Sequence, residues 1–203
     1  MNHRITRRSL IASGISSVVV LATSSARSDE VTLSPTQWTD KYGLIKDLPK
    51  DREPLTDELK KYPRCRYCGM ERAKFSHSRH LIVYEDDAVD ATCSLHCAAI
   101  GLSLNMDRGP KSIYAGDAGA DAASKPLVLV DSASYVVDPS RPGTMTKVSV
   151  LAFADKAKAE AAAKASAGAE VVDFNAALRK AYVVMADDTI MLRQKRRETR
   201  SKM

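Results

Sequence analysis

Four cysteines in one short window carry the chemistry of this sequence: Cys65 and Cys68 in Cys-Arg-Tyr-Cys-Gly-Met, then Cys93 and Cys97 in Cys-Ser-Leu-His-Cys. A C-x-x-C spacing turns two sulfurs toward one point when a tight knuckle joins them, and Gly69 can supply the positive φ of such a knuckle. Cys93 and Cys97, at i and i+4, share a face if their segment is helical. The pattern predicts a soft-metal site, or a thiol site built like one. Thiolates favour Cu(I) and Zn(II), whereas a thioether favours Cu(I). Four cysteines alone would close a tetrahedral zinc site. Met70, directly after Gly69, argues for copper. The candidate ligands are therefore Cys65, Cys68, Met70, Cys93 and Cys97, with Met145 added from the loop that follows Gly143-Thr144. His96 is a further candidate. His77 and His80 lie in a polar stretch and are expected to be exposed, and Met106, Met185 and Met191 read as apolar core or surface residues.

The compartment bears on the thiols. Arg7-Arg8 precedes an apolar run from Ile15 to Ala22, and Ser24-Ser25-Ala26 offers small residues for cleavage. This resembles a twin-arginine signal peptide over residues 1–26, with export to the periplasm as the expectation. The run is shorter than the about 20 apolar residues that span a bilayer. In an oxidising compartment four cysteines would by default form two disulfides. The twin-arginine route carries folded cargo, so a metal site filled before export is the other outcome. A thiol–disulfide enzyme is a third reading of Cys65 and Cys68. Such a pair usually opens a helix whose dipole lowers a thiol pKa, whereas here Pro63 precedes the pair and Gly69 follows it.

The elements that position the thiols follow from pattern and punctuation. Residues 27–62 are divided by Pro35, Pro49 and Pro54 and read as loop-rich, with a turn or two of helix at Asp57 to Tyr62. Leu81 to Tyr84 and Ala88 to Thr92 read as a strand pair across Glu85-Asp86-Asp87. Ser94 can cap a helix reaching about Met106, with Leu95, Ala98, Ala99, Leu102 and Met106 as its buried face. Residues 117–126 form a loop; Leu127 to Val130, Tyr135 to Val137, Lys147 to Phe153 and Val171-Val172 are strands. Ala154-Asp155 starts an alanine-rich helix ending before Gly168, and Asp173 caps a last helix that can continue into the basic tail, with Asp187-Asp188 as the place for a break. The order is α+β, with small mixed sheets, packed helices and two βαβ-type halves meeting near residue 120. Residues 63–182 form the metal-binding domain and 183–203 a basic tail.

At 203 residues, 44% hydrophobic and 28% charged, the chain has an ordinary globular composition. Much of the net charge of +6 comes from the two ends. With three Phe, one Trp and no groove-reading element, the sequence gives no reason to expect nucleic-acid binding. Oligomeric state is not written in the sequence.

Cys65-x-Tyr67-Cys68-Gly69-Met70 resembles the C-x-x-C-G-M element of the NosL family. Asp131-Ser-Ala-Ser-Tyr135-Val136 is similar to that family's D-A-x-x-Y-V element. Gly143-Thr144-Met145 with Ala152-Phe153-Ala154 resembles its glycine–methionine loop and following strand, and residues 161–174 its last helix, glycine turn and strand. The likeness spans about residues 60–180. It implies an α+β fold related to part of organomercurial lyases, and an exported copper carrier rather than an enzyme. The family is described as supplying Cu(I) to the sulfide-bridged cluster of nitrous oxide reductase, often beside an ABC-type transporter. By the resemblance Cys65, Cys68 and Met70 would be copper ligands, with Met145 a further one. Two departures stand out. Typical members carry a lipid-bearing cysteine at the cleavage site, and none occurs before Cys65, so no stable membrane insertion is expected. Cys93-Ser-Leu-His-Cys97 is similar to the C-x-x-x-C half of YHS and TRASH metal-binding modules, which implies a second metal, a closed four-thiolate site such as zinc takes, or a different client.

Overall fold

The structure, a computed structural model, describes residues 33–43, 45 and 47–202. The twin-arginine-like segment lies outside the described residues. The first helix, α1 (Pro35–Tyr42), falls in the stretch expected to be loop. Its start is a capping box: the Ser34 amide donates to Gln37 Oε1 at 2.9 Å and the Gln37 amide to Ser34 Oγ at 3.3 Å. Pro35 occupies the first helical position, where its missing N–H has no partner to lose. The short α2 (Glu58–Lys61) is the expected turn before the knuckle.

Two antiparallel sheets follow. β1 (His80–Tyr84) and β2 (Val89–Thr92) form the expected hairpin. After α3 (Leu95–Leu104) come β3 (Pro110–Gly116) and β4 (Leu127–Leu129), giving the order β2-β1-β3-β4. The second sheet takes β5 (Ser134–Asp138), β6 (Ser149–Phe153) and, after α4 (Lys156–Lys164), β7 (Glu170–Val172), in the order β6-β5-β7. β1 is antiparallel to both β2 and β3, so those two run parallel on either side of it, joined through α3. β6 and β7 flank β5 in the same way, joined through α4. Each half is thus a split βαβ unit, and the halves divide between β4 and β5. The Ala118 amide donates to the Ala152 carbonyl at 2.8 Å and ties the sheets together.

All five residues of β1 are buried. Alternation sends Leu81 to one face, against Val89 and Ala91, and Ile82 and Tyr84 to the other, against Leu95, Ala98 and Ile113. That second face continues into the main core, which takes Tyr135 from β5 and Phe174, Ala177 and Ala181 from the last helix, α5 (Phe174–Ser201). Buried Leu, Ile and Phe side chains contribute about 1.5–3 kcal/mol each.

Two expectations on the helices are resolved, and one strand is added. α5 is continuous for 28 residues, so the helix runs unbroken through Asp187-Asp188 into the basic stretch. α3 stops at Leu104, and Met106, in the 3-10 turn beyond it, is 74% exposed. β3 forms the strand beside β1 in a stretch where the sequence suggested none.

Candidate metal centre

The knuckle is held by its own backbone. The Cys65 amide donates to the Met70 carbonyl at 2.8 Å and the Gly69 amide to the Cys65 carbonyl at 2.9 Å. Gly69 has φ +74°, as expected of the glycine in this turn. On the other side, Ser94 caps α3, its hydroxyl accepting from the Cys97 amide at 3.4 Å. Cys93 enters from the end of β2 and Cys97 lies in the first turn of α3.

These two segments bring the four thiol sulfurs within 4.8 Å of one another. Cys68 Sγ is 3.4 Å from Cys93 Sγ, and Cys93 Sγ is 3.8 Å from Cys97 Sγ. All four cysteines are free, so the disulfide expectation is not what the fold contains. A tetrahedron of thiolates with metal–sulfur bonds of about 2.3 Å has edges of roughly 3.8 Å. The sulfurs are already at about that spacing. Cys65, Cys93 and Cys97 are buried, and Cys68 is half-buried. Met70, Tyr67 and Phe75 pack against the group.

The thiols share protons unequally. Hydrogen bonds from the Cys93 and Cys97 thiols hold the Cys65 thiol far below the ordinary thiol range. The same hydrogen bond to Cys65 pushes Cys93 up to about 12, and bonds to Cys65 and Cys93 raise Cys97 as well. One thiolate therefore forms readily. Further thiolates at this spacing repel it, and only a cation among them offsets that repulsion.

The surroundings fix both cysteine segments. Arg72 is fully buried; it donates from Nη1 to the Tyr62 carbonyl at 2.8 Å, ahead of the knuckle, and from Nε to the Thr92 carbonyl at 3.1 Å, ahead of Cys93. Glu58 balances its charge at 2.8 Å and that of Arg79 at 2.7 Å. Ser78 donates to the Cys93 carbonyl at 2.8 Å and shares a hydrogen bond with Thr144 at 2.9 Å. Tyr67 of the knuckle donates to the Asp90 carboxylate on β2. That pair lies against Gly101 of α3, where a Cβ would meet Asp90 Oδ2 at 2.4 Å and the Tyr67 hydroxyl at 2.8 Å. Of these supporting residues only Tyr67 and Thr144 stand in motifs the sequence singles out. Arg72 stands among Glu71, Ala73 and Lys74, a composition that reads as solvated.

The remaining candidates are placed differently. His80, expected at the surface, is fully buried. Its Nδ1 donates to the Ser78 carbonyl at 3.0 Å and its Nε2 accepts from Tyr135 at 3.1 Å, so both nitrogens are used in the fold. His77 is half-buried. His96 is also half-buried, and burial lowers its pKa while Asp188 pulls it up. Met145 is 41% exposed and is not among the residues packed around the cysteines. It lines a separate open pocket with His96, Met185 and Met191. Its backbone has φ +68°, left-handed geometry that costs an L side chain on the order of 1–2 kcal/mol. Cys65 and Cys68 do not open a helix: α2 ends before them and α3 begins after Ser94. The dipole that activates redox C-x-x-C pairs is therefore missing at these two thiols.

Converging free thiols on a small α+β scaffold, fixed by buried polar contacts, define a thiol-centred metal-handling protein. The NosL family model matches residues 56–182, and the chain belongs to the NosL family. That membership places it among metal-handling proteins and not among enzymes. The crystal structure of the copper chaperone NosL from Shewanella denitrificans is similar over 63% of this chain and 95% of that one, with 21% identity and a TM-score of 0.46. No curated protein matches the chain. Among the described residues no helix is long and apolar enough to cross a membrane.

Proposed function

We propose that this protein is an exported, periplasmic copper carrier that holds Cu(I) on the sulfurs of Cys65, Cys68, Cys93 and Cys97. The copper is cargo, passed on for maturation of nitrous oxide reductase, to the enzyme itself or to its ABC-type maturation complex. The observation that carries the reading is the meeting of four free thiols within 4.8 Å. Soft thiolates suit Cu(I), and a single positive ion relieves the repulsion between them. The half-buried Cys68 is the sulfur an incoming ligand reaches first, so release proceeds by ligand exchange at that edge. No electron moves in this exchange; one metal–sulfur bond breaks as the recipient's forms. Met70 packs beside the group as a neighbouring thioether, available as the outgoing bond weakens.

Zinc is the second reading, favoured by the number and spacing of the thiols, which suit a closed structural site. Copper and zinc counted per chain, in protein recovered from the periplasm, separate the two. The recipient is tested by deleting the gene in a nitrous-oxide-respiring host. A reductase lacking its copper cluster is expected; a fully metallated reductase in the deletion strain removes it as the recipient.

A further inference from the structure

We propose that His96, Met145, Met185 and Met191 form a second, solvent-open soft-metal site that takes Cu(I) more weakly than the four cysteines. The four side chains line one open pocket between the Met145 loop, the start of α3 and the middle of α5. Three thioethers and an imidazole make a donor set suited to Cu(I) and Ag(I), and a poor one for hard cations. Met185 and Met191 lie on α5 beyond the residues matched by the family model.

The Lys147 ammonium lines the pocket and donates to Met191 Sδ at 2.7 Å, so a metal entering here must displace it from that sulfur. Asp188, three residues from both Met185 and Met191 on α5, lines the same pocket and supplies a negative charge at its edge. Three described residues other than glycine have positive φ. Two are aspartates, which tolerate that geometry; the third is Met145. A strained backbone kept at one exposed methionine is the kind of outlier associated with ligand-holding positions.

The pocket is linked to the cysteines. His96 lies between Cys93 and Cys97, and Thr144, next to Met145, is tied through Ser78 to the Cys93 carbonyl. On the copper-carrier reading, which this step alone requires, the pocket is where cargo pauses on its way to or from the thiols. Binding at the pocket does not depend on that reading.

The test uses the reduced full chain, labelled with 13C at the methionine methyls and titrated anaerobically with Cu(I) buffered by a chelator. The first equivalent is expected to leave the Met145, Met185 and Met191 methyls in place and the second to shift all three. In a Met185→Ile, Met191→Leu double variant the second equivalent should bind at least tenfold more weakly, with the first unchanged. Lys147→Gln removes the competing ammonium and should strengthen the second equivalent, an effect that apolar packing alone does not predict. Methyls unmoved by two equivalents of Cu(I), or a second equivalent indifferent to the double variant, overturn the proposal. Methyls that shift in a protein whose cysteines take no Cu(I) uphold this site while the carrier reading falls.

Discussion

The sulfurs of Cys68 and Cys93 lie 3.4 Å apart, although 25 positions separate them in the chain. One belongs to the knuckle and the other to the end of β2, and no covalent bond joins them. Thiols brought together in this way should behave as a set. Replacing Cys93 or Cys97 by Ser is expected to weaken Cu(I) binding by more than roughly a hundredfold, since a thiolate ligand is lost outright. Met70→Leu should cost less, about ten- to a hundredfold, as a neighbour's substitution does. Competition against a chromophoric Cu(I) chelator measures both.

The buried guanidinium of Arg72 joins the two cysteine segments through the carbonyls of Tyr62 and Thr92. Arg72→Met leaves those carbonyls without a donor and removes one of the two cations that balance Glu58. Breaking a buried pair from one side costs about 3–5 kcal/mol. Denaturant unfolding of metal-free, reduced protein should show a loss of that size. A variant as stable as the parent would mean that the segments hold their places without Arg72.

Acid response should reveal two groups working against each other. Burial holds His80 down at about 4 from 6.5, so its contribution to stability is present above pH 6.5 and is lost as pH falls toward 4. Burial lifts Asp90 to about 6 from 3.8, partly opposed by the hydrogen bond from Tyr67, so its contribution is present below pH 3.8 and is lost as pH rises through 6. Each amounts to roughly 3 kcal/mol, with opposite sign over the same interval. In metal-free, reduced protein these two contributions should cancel between pH 4 and 6, leaving the rise of stability with pH that the depressed Cys65 thiol supplies. Asp90→Asn should steepen that rise, and His80→Gln should flatten it. Parallel profiles for the parent and both variants would contradict the assignment.

Gly101 leaves room for the Tyr67–Asp90 pair against α3. Gly101→Ala places a methyl 2.4 Å from the Asp90 carboxylate, a distance that forces the pair to move. The helix would gain propensity, yet the overpacking should dominate and destabilise by about 1–3 kcal/mol. Thermal unfolding checks the sign. A more stable Gly101→Ala would show that the pair yields freely.

What the sequence made legible was local. The Gly69 turn, the Ser94 cap, the β1–β2 hairpin and the caps at Asp155 and Asp173 each depend on residues within a few positions, and each is found in place. α1 is legible too: Ser34 and Gln37 spell a helix start, and Pro35 fits a first helical position as well as it fits a loop. The illegible part is long-range. β3 carries no clear alternation because it lies between β1 and β4 and is buried unevenly. Arg72, Arg79 and Glu58 look like surface charges until the fold closes around them. Whether Met145 faces the thiols or the α5 pocket depends on one loop's direction, set by a left-handed residue that no local pattern predicts.

The most direct measurement is a titration of the reduced full chain with Cu(I) held by bicinchoninate, followed at the chelator's absorbance. The account predicts that one equivalent leaves the chelator for the protein, and that alkylating the four cysteines beforehand abolishes this uptake. Copper that stays with the chelator, or moves equally well to the alkylated protein, contradicts it.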